Sequence, residues 1–227
     1  MRCVRVAAVV AVLIAWETGA MAVQQTTTEV LVELRERAGQ GDADAQAALG
    51  FRYASGRGVA PDLAEAIRWY SLAAEQGHVR TQYNLGVMYR SGRGVPQDEA
   101  EAARWFRLAA EQGYDSAQYN LGIMYDTGKG LPLDQVEAVR WFRLAAEQGH
   151  ANGMSYLGAM YGSGSGVERD YKQAYMWRSL AASRDTTRNG DIAAEARDAL
   201  ASRMTAIHLA EAKYLVREWE MAHPDDP

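Results

Sequence analysis

Cysteine is nearly absent from this chain: Cys3 is the one cysteine in 227 residues. A disulfide framework is therefore excluded, and removal of the first residues leaves no thiol nucleophile. Gly-x-x-x-x-Gly-Lys-Ser/Thr, Ser-x-x-Lys and Gly-x-Ser-x-Gly are also missing. The local signatures of a phosphate-binding loop and of serine acylation chemistry are thus not present. Positive charge is in short supply too, with 24 Lys and Arg against 29 Asp and Glu, a net charge of −5. A mildly acidic chain lacks the basic face that nucleic acid requires, and anionic lipid is disfavoured on the same ground. No low-complexity segment and no second globular domain can be discerned.

Long apolar runs are lacking as well. Val6 to Trp16 is too short for a bilayer span, which needs ~20 residues. With Arg2 and Arg5 before it and Ala20-Met21-Ala22 after it, residues 1–22 read as a secretory signal peptide. An uncleaved anchor is the competing reading. Cys3 precedes the apolar run, which is the wrong place for a lipoprotein anchor. Cleavage leaves 22 basic and 28 acidic residues, a net charge of −6. The expected product is exported, periplasmic or secreted, with no stable membrane insertion once the signal is removed.

What the chain does have is repetition. One framework starts at Gly41, Gly77, Gly113 and Gly149, spaced by 36 residues without insertion or deletion. A fixed period of this size indicates a stacked array. In each copy the first half carries Leu-Gly-x-x-Tyr: Leu49-Gly50…Tyr53, Leu85-Gly86…Tyr89, Leu121-Gly122…Tyr125 and Leu157-Gly158…Tyr161. Leu and Tyr four apart share a helix face. A mid-helix glycine costs about 1 kcal/mol relative to Ala, so its recurrence predicts close approach of another backbone. Breaks follow at Ser55–Val59, Ser91–Val95, Thr127–Leu131 and Ser163–Val167, each with a first glycine suited to a left-handed C-cap. The second helix starts at Asp62, Asp98, Asp134 and Asp170, with Glu65, Glu101, Glu137 and Gln173 three residues later. This spacing predicts a reciprocal capping box. Ala66, Trp69 and Leu72 and their equivalents form the apolar stripe. Each copy is a helix hairpin that buries its stripe only against neighbouring copies.

The string Ala-Gln-Tyr-x-Leu-Gly-x-x-Tyr, Gly-x-Gly, Asp-x-x-x-Ala-x-x-Trp, Ala-Ala-x-Gln-Gly resembles the Sel-one-like repeat (SLR) family, a relative of the tetratricopeptide repeats, over about residues 41–185. The fourth copy departs: Met154, Ser155 and Tyr156 replace Gln-Tyr-Asn, and Arg178 replaces the aromatic beside Trp. The resemblance implies an all-α fold, a right-handed α/α superhelix (solenoid) of four repeats at 41–76, 77–112, 113–148 and 149–185. It also implies an adaptor or scaffold role and no catalytic residues. Residues 23–40 supply a polar lead and an N-terminal capping helix carrying Val30, Leu31, Leu34 and Ala38. Residues 186–227 supply C-terminal capping helices. Asp191 is expected to cap a helix carrying Ile192, Ala196, Ala199 and Leu200, and Thr205 one carrying Leu209, Ala212, Val216 and Trp219.

Several constellations favour a structural role. His78 and His150 hold one repeat position two copies apart, on the order of 20 Å at 8–10 Å per helix layer, far beyond zinc-ligand geometry. Glu65/Arg68, Glu101/Arg104 and Glu137/Arg140 are i, i+3 surface pairs. Trp69, Trp105, Trp141 and Trp177 are packing residues. Arg57, Arg93 and Lys129 sit in helix-breaking loops and form a basic row that could meet an anionic partner. No metal, cofactor or enzymatic activity is expected, and a protein or peptide is the expected partner, with no nucleic acid. The alternatives are an envelope scaffold or regulator contacting polysaccharide machinery and, less favoured, a β-lactamase-like hydrolase, as described for cysteine-rich relatives.

Comparison of the copies with one another places the candidate surface. Asp44, Arg80, Ser116 and Asn152 share one variable position. Ala47, Tyr83, Tyr119 and Ser155 share a second, Phe51, Val87, Ile123 and Ala159 a third, and Ala54, Arg90, Asp126 and Gly162 a fourth. These offsets trace one helix stripe, which lines the concave groove in similar tetratricopeptide proteins. Arg80, Tyr83, Val87, Arg90, Ser116, Tyr119, Ile123 and Asp126 are the expected partner-binding residues, with the two tyrosines exposed as a hot spot. Free variation of solvent-exposed positions would produce the same pattern. The convex helices and the basic loops remain the other candidate surfaces.

Overall fold

The computed structural model describes residues 29–224. The signal-peptide segment 1–22, the polar lead 23–27 and the tail 225–227 lie outside the described residues. Every regular element among the described residues is an α-helix, so the all-α repeat fold expected from the period is the one that forms. The chain divides into two compact units, Met1–Thr81 and Gln82–Pro227, and the division falls inside α4 (Val79–Ser91).

The first unit contains α1 (29–39), α2 (Ala43–Ser55) and α3 (Leu63–Glu75). Leu31 and Ala38 of α1 bury against Ala45 and Leu49 of α2, with Leu34, Tyr53, Val59 and Trp69 around them. Val30, expected on the packed face, is exposed. Gln46, itself buried, donates to Ala38 O at 3.1 Å and accepts from Gln76 Nε2 at 2.8 Å. One amide thus ties α1, α2 and the end of α3 together.

The second unit continues α4 into α5 (Glu99–Glu111), α6 (Asp115–Thr127), α7 (Gln135–Glu147), α8 (Ala151–Ser163), α9 (Tyr171–Arg184), α10 (Arg188–Ala201) and α11 (Ala206–Ala222). From α5 to α10 each helix packs on the next, and α11 packs back on α9. Gln82 and Gln118 are buried and accept from Gln112 and Gln148 at 2.8 and 2.7 Å. Gln118 also donates to Ala110 O of the preceding copy at 3.2 Å. This ladder stops at the fourth copy, where Met154 occupies the glutamine position and is fully buried.

The aspartate caps form as expected. Asp62, Asp98, Asp134 and Asp170 each accept a backbone N–H from the first turn of their helix, an interaction worth ~1 kcal/mol. The reciprocal half of the capping box does not form. The cap N–H groups of Asp62, Asp98, Asp134 and Asp170 donate instead to the carbonyls of Tyr53, Tyr89, Tyr125 and Tyr161, at 2.9–3.0 Å. Those glutamates are therefore free to pair with arginine, and Glu65–Arg68, Glu101–Arg104 and Glu137–Arg140 do so.

The expected close backbone approach at the mid-helix glycine appears in the first and fourth copies, where a Cβ on Gly50 would lie 3.1 Å from Ala66 O and one on Gly158 3.2 Å from Ala174 O. In the second and third copies a ring, not a backbone, occupies the space. A Cβ on Gly86 would lie 2.7 Å from the Phe106 ring, and one on Gly122 2.7 Å from Phe142. Both phenylalanines are fully buried, whereas Leu72 is 37% exposed and Leu108 and Leu144 are half-buried. In the second and third hairpins the ring beside the tryptophan, rather than the leucine, is the main apolar anchor. Main-chain crowding appears at the turns: Gly130 has φ +70°, and a Cβ there would lie 2.2 Å from the carbonyl oxygen of Glu99. The loop of one copy thereby seats on the start of α5 in the copy before it.

The terminal helices differ from expectation in detail. Thr187, not Asp191, caps α10, accepting from Asn189 N. Gly190 and Ala193 are buried in this helix, while Ile192 and Ala199 face out. Thr205 does cap α11, which buries Ala212 and brings Trp219 edge-on to Trp177 at 6.3 Å. Lys172 and Glu211 pair at 3.0 Å across the same contact. No helix among the described residues is long and apolar enough to cross a membrane.

Candidate functional site

The variable stripe of the first helices is only partly accessible. Arg80 is exposed and belongs to the first unit. Tyr83, Val87, Arg90, Ser116, Tyr119, Ile123 and Asp126 belong to the second unit, and all are half-buried. The two tyrosines are not free-standing surface rings. Tyr83 packs on Phe106 at 5.7 Å and on Tyr114 at 5.1 Å. Tyr119 packs on Phe142 at 6.1 Å, His150 at 4.9 Å and Tyr156 at 5.7 Å. The stripe is therefore an aromatic band laid over the buried phenylalanines.

Burial marks the chemistry of these rings. It pushes the Tyr83 phenol up, helped by the neighbouring Tyr114. The Tyr119 phenol is pushed up to about 12, chiefly by burial and then by the adjacent Tyr156. Both therefore stay protonated hydroxyls at any ordinary pH, able to donate and accept hydrogen bonds.

A residue outside the expected set holds part of this band together. Asn120, only 6% exposed, accepts from Arg90 Nη1 and donates to Ser116 O at 2.6 Å. Tyr83 hydrogen-bonds to the same amide. Tyr83, Arg90 and Ser116 thus converge on Asn120, while the Arg90 guanidinium lies 5.4 Å over the Phe106 ring. The recurring Gln-Tyr-Asn triplet, Asn84 and Asn120, was the sequence signal for it. Asp126 accepts from Gln135 Nε2 at 3.3 Å.

Along the chain the band runs on into a cleft of about 340 Å³ beside α8. Asn152, Ser155 and Ala159, the fourth-copy members of the same stripe, line it next to Tyr119. The far wall is Asn189 and Ile192 of α10, and Tyr156 and Arg178 complete it. Those last four residues were not part of the expected surface. Arg178 and Tyr156 were visible as departures from the repeat and α10 as an expected capping helix, but not that Asn189 and Ile192 would form the far wall.

The other candidates resolve into structure. His150 caps α8, its Nδ1 accepting from Gly153 N at 3.1 Å, and burial holds its pKa below the usual histidine value. His78 Nδ1 accepts from Thr81 N at 3.3 Å in the same fashion. The repeat position shared by these histidines is a helix cap. Among the described residues no group of three or more His, Cys, Asp or Glu is placed to hold a metal ion. Trp105 and Trp141 are buried, Trp69 is half-buried, and Arg68, Arg104 and Arg140 lie over these rings at 4.2, 3.9 and 5.1 Å. Of the loop cations, Arg57 lies 5.3 Å over Phe51, and Arg93 and Lys129 are exposed.

The Sel1 repeat model matches this chain four times in tandem, at residues 43–78, 79–114, 115–150 and 151–185. Among solved structures, the chain is similar to a protective antigen of uropathogenic Escherichia coli strains displaying an SLR fold, at 46% identity and a TM-score of 0.66. That match covers 69% of this chain and 33% of the antigen. It is also similar to a Sel1 repeat protein from Oxalobacter formigenes, at 34% identity and a TM-score of 0.61, covering 66% of this chain and 60% of the other. The chain thus spans a third of the first of these proteins and three fifths of the second. A comparison with curated proteins gives no match.

Proposed function

The chain belongs to the Sel1 repeat family, whose members are generally protein-interaction scaffolds, and from that premise we propose that it is an exported adaptor that binds a protein or peptide along the variable stripe of its first helices. The observation that carries this reading is the contrast within each repeat of the second unit. The Leu-Gly-x-x-Tyr framework and the aspartate caps recur, with the glutamine ladder in the second and third copies, while the stripe beside them changes in charge and size. That stripe presents hydroxyls and rings held rigid by packing, the kind of anchor on which interface energy concentrates. Arg90, Ser116 and Asp126 add polar groups around Tyr83 and Tyr119, with Val87 and Ile123 between them. Arg80, exposed in the first unit, is proposed as a contact of that unit by itself. The chain is no enzyme on this reading, since His78 and His150, the Glu65, Glu101 and Glu137 carboxylates and the recurring tryptophans Trp69, Trp105 and Trp141 have structural partners. Export is supported by the Arg2/Arg5, apolar and Ala20-Met21-Ala22 sequence, and by the fact that a 46%-identical relative is a protective antigen.

The test is affinity for a partner recovered from envelope extract. Tyr83→Ala with Tyr119→Ala is expected to weaken binding by more than ~1 kcal/mol. Both rings also pack on phenylalanine, so stability falls as well. The Tyr83→Phe/Tyr119→Phe pair keeps the rings and isolates the hydroxyls. Unchanged affinity in the alanine pair shifts the site to the convex helices or the loop cations. N-terminal sequencing of the native protein should begin near Val23, and an intact Met1 in cytosol would contradict export.

A further inference from the structure

The fourth copy carries a cation where the first three carry a ring: Arg178 stands at the position of Tyr70, Phe106 and Phe142. Its stem takes the ring's place on the helix glycine, for a Cβ on Gly158 would lie 3.0 Å from Arg178 Cγ. The guanidinium is carried past that contact to the wall of the cleft. Nη1 donates to Ser155 Oγ at 2.9 Å. Among the described residues Arg178 has no carboxylate ion-pair partner, unlike Arg68, Arg104 and Arg140. Burial disfavours its charged form, and the offset comes from the Tyr156 phenol rather than from a carboxylate. A desolvated cation of this kind is costly unless an anion meets it.

The rest of the cleft fits a small anion with an apolar body. Tyr119 and Tyr156 supply hydroxyls, and Asn152 and Asn189 supply amides that touch only at 3.5 Å. Ile192, 49% exposed, supplies an apolar wall. The volume of about 340 Å³ lies at the small end of ligand sites, roughly 300–1,000 Å³. We propose that this cleft is a carboxylate-binding subsite in which Arg178 forms a two-pronged ion pair with a carboxylate of the partner and Ile192 covers the adjoining apolar side chain. A single guanidinium fork matches a planar monoanion. The chain's net charge of −5 works against a more highly charged anion such as a phosphate. The source of the carboxylate, a protein or peptide, rests on the adaptor reading above; the subsite chemistry itself does not.

The test uses small probes, so it stands apart from recovery of a natural partner. The protein is titrated in NMR with N-acetylphenylalanine, which bears a terminal carboxylate, with N-acetylglutamate α-amide, which bears a side-chain carboxylate, and with neutral N-acetylphenylalaninamide. Saturable shifts at Asn152, Ser155, Asn189 and Ile192 are expected with at least one carboxylate. The neutral amide should bind at least about tenfold more weakly, as loss of a charge-assisted pair implies. Whichever carboxylate binds tighter identifies a chain terminus or an acidic side chain as the natural group. Arg178→Phe restores the residue type of the second and third copies, so it should fold, and it should abolish the preference for acid over amide. Equal binding of acid and amide, retention of the preference in Arg178→Phe, or no saturable shift with either carboxylate would overturn the proposal. Loss of natural-partner binding in Tyr83→Ala, a residue outside the cleft, with this titration unchanged, would separate the two sites.

Discussion

The third and fourth copies of the repeat share the helix hairpin and the aspartate cap of its second helix, yet they do different things with them. In the third, Phe142 is fully buried against Gly122, and Gln118 joins the copy before it to its own second helix. In the fourth, Arg178 covers Gly158, Met154 replaces the glutamine, and a cleft opens between α8 and α10. The contrast teaches where a repeat array can afford specialisation. A middle copy is packed on both sides, so a polar group there must be satisfied by its neighbours. A copy followed by non-repeat helices meets a surface that does not have to match the period. Function can occupy the mismatch without disturbing the stack.

The sharpest way to break this comparison is to exchange the key residues. Phe142→Ala should cost about 3–5 kcal/mol, because the ring is fully buried and the cavity cannot close. Arg178→Phe at the equivalent place should cost far less, within about 1.5 kcal/mol of wild type, since Gly158 leaves room for the ring. Denaturant titration of both variants decides it; equal losses would show that the two copies tolerate change alike.

A smaller effect is expected from giving the third copy the fourth copy's side chain. Gln118→Met removes a buried amide that serves Ala110 O and Gln148 Nε2 together. Leaving those groups unpaired should cost about 1–3 kcal/mol. A melting temperature equal to wild type would mean that water or a rearranged Gln148 replaces the ladder.

The smallest effect concerns His150, which sits between the two copies, stacked on Tyr119 and capping α8. Its folded pKa is lowered from 6.5, chiefly by burial. The unfolded chain therefore takes up a proton at a pH where the folded chain does not. Stability from this group is complete above about pH 6.5 and declines as pH falls from there towards the folded pKa. Melting temperature measured from pH 7.5 down to pH 5 should fall, and His150→Asn, which keeps a capping side chain, should fall less. His150→Asn with an identical pH profile would assign the dependence elsewhere.

Much of this was legible from residues. The period, the glycine breaks and the aspartate caps are local features, and local hydrogen bonds enforce them wherever the chain goes. The stripe of Tyr83, Tyr119 and their equivalents could be identified by comparing copies, since a helix face is a property of spacing. Its half-buried state could not, because that depends on rings from the second helices lying beneath it. Asn120 was visible as part of a recurring triplet, but its role as the meeting point of Tyr83, Arg90 and Ser116 is not a matter of spacing.

What the sequence determined by itself is the repeat unit: where its helices begin and end, and that each needs neighbours to cover its apolar side. What only the tertiary structure decided is which groups satisfy one another across elements. The capping-box glutamates were released to arginine because tyrosine carbonyls took the cap N–H groups. The mid-helix glycines Gly86 and Gly122 admit a phenylalanine ring. Arg178 became a cleft residue because α10, starting at Thr187, presents Asn189 and Ile192 to it. Helix caps are settled within a few residues by fixed backbone geometry. These other pairings depend on distances between residues 9–30 or more positions apart, which packing alone sets.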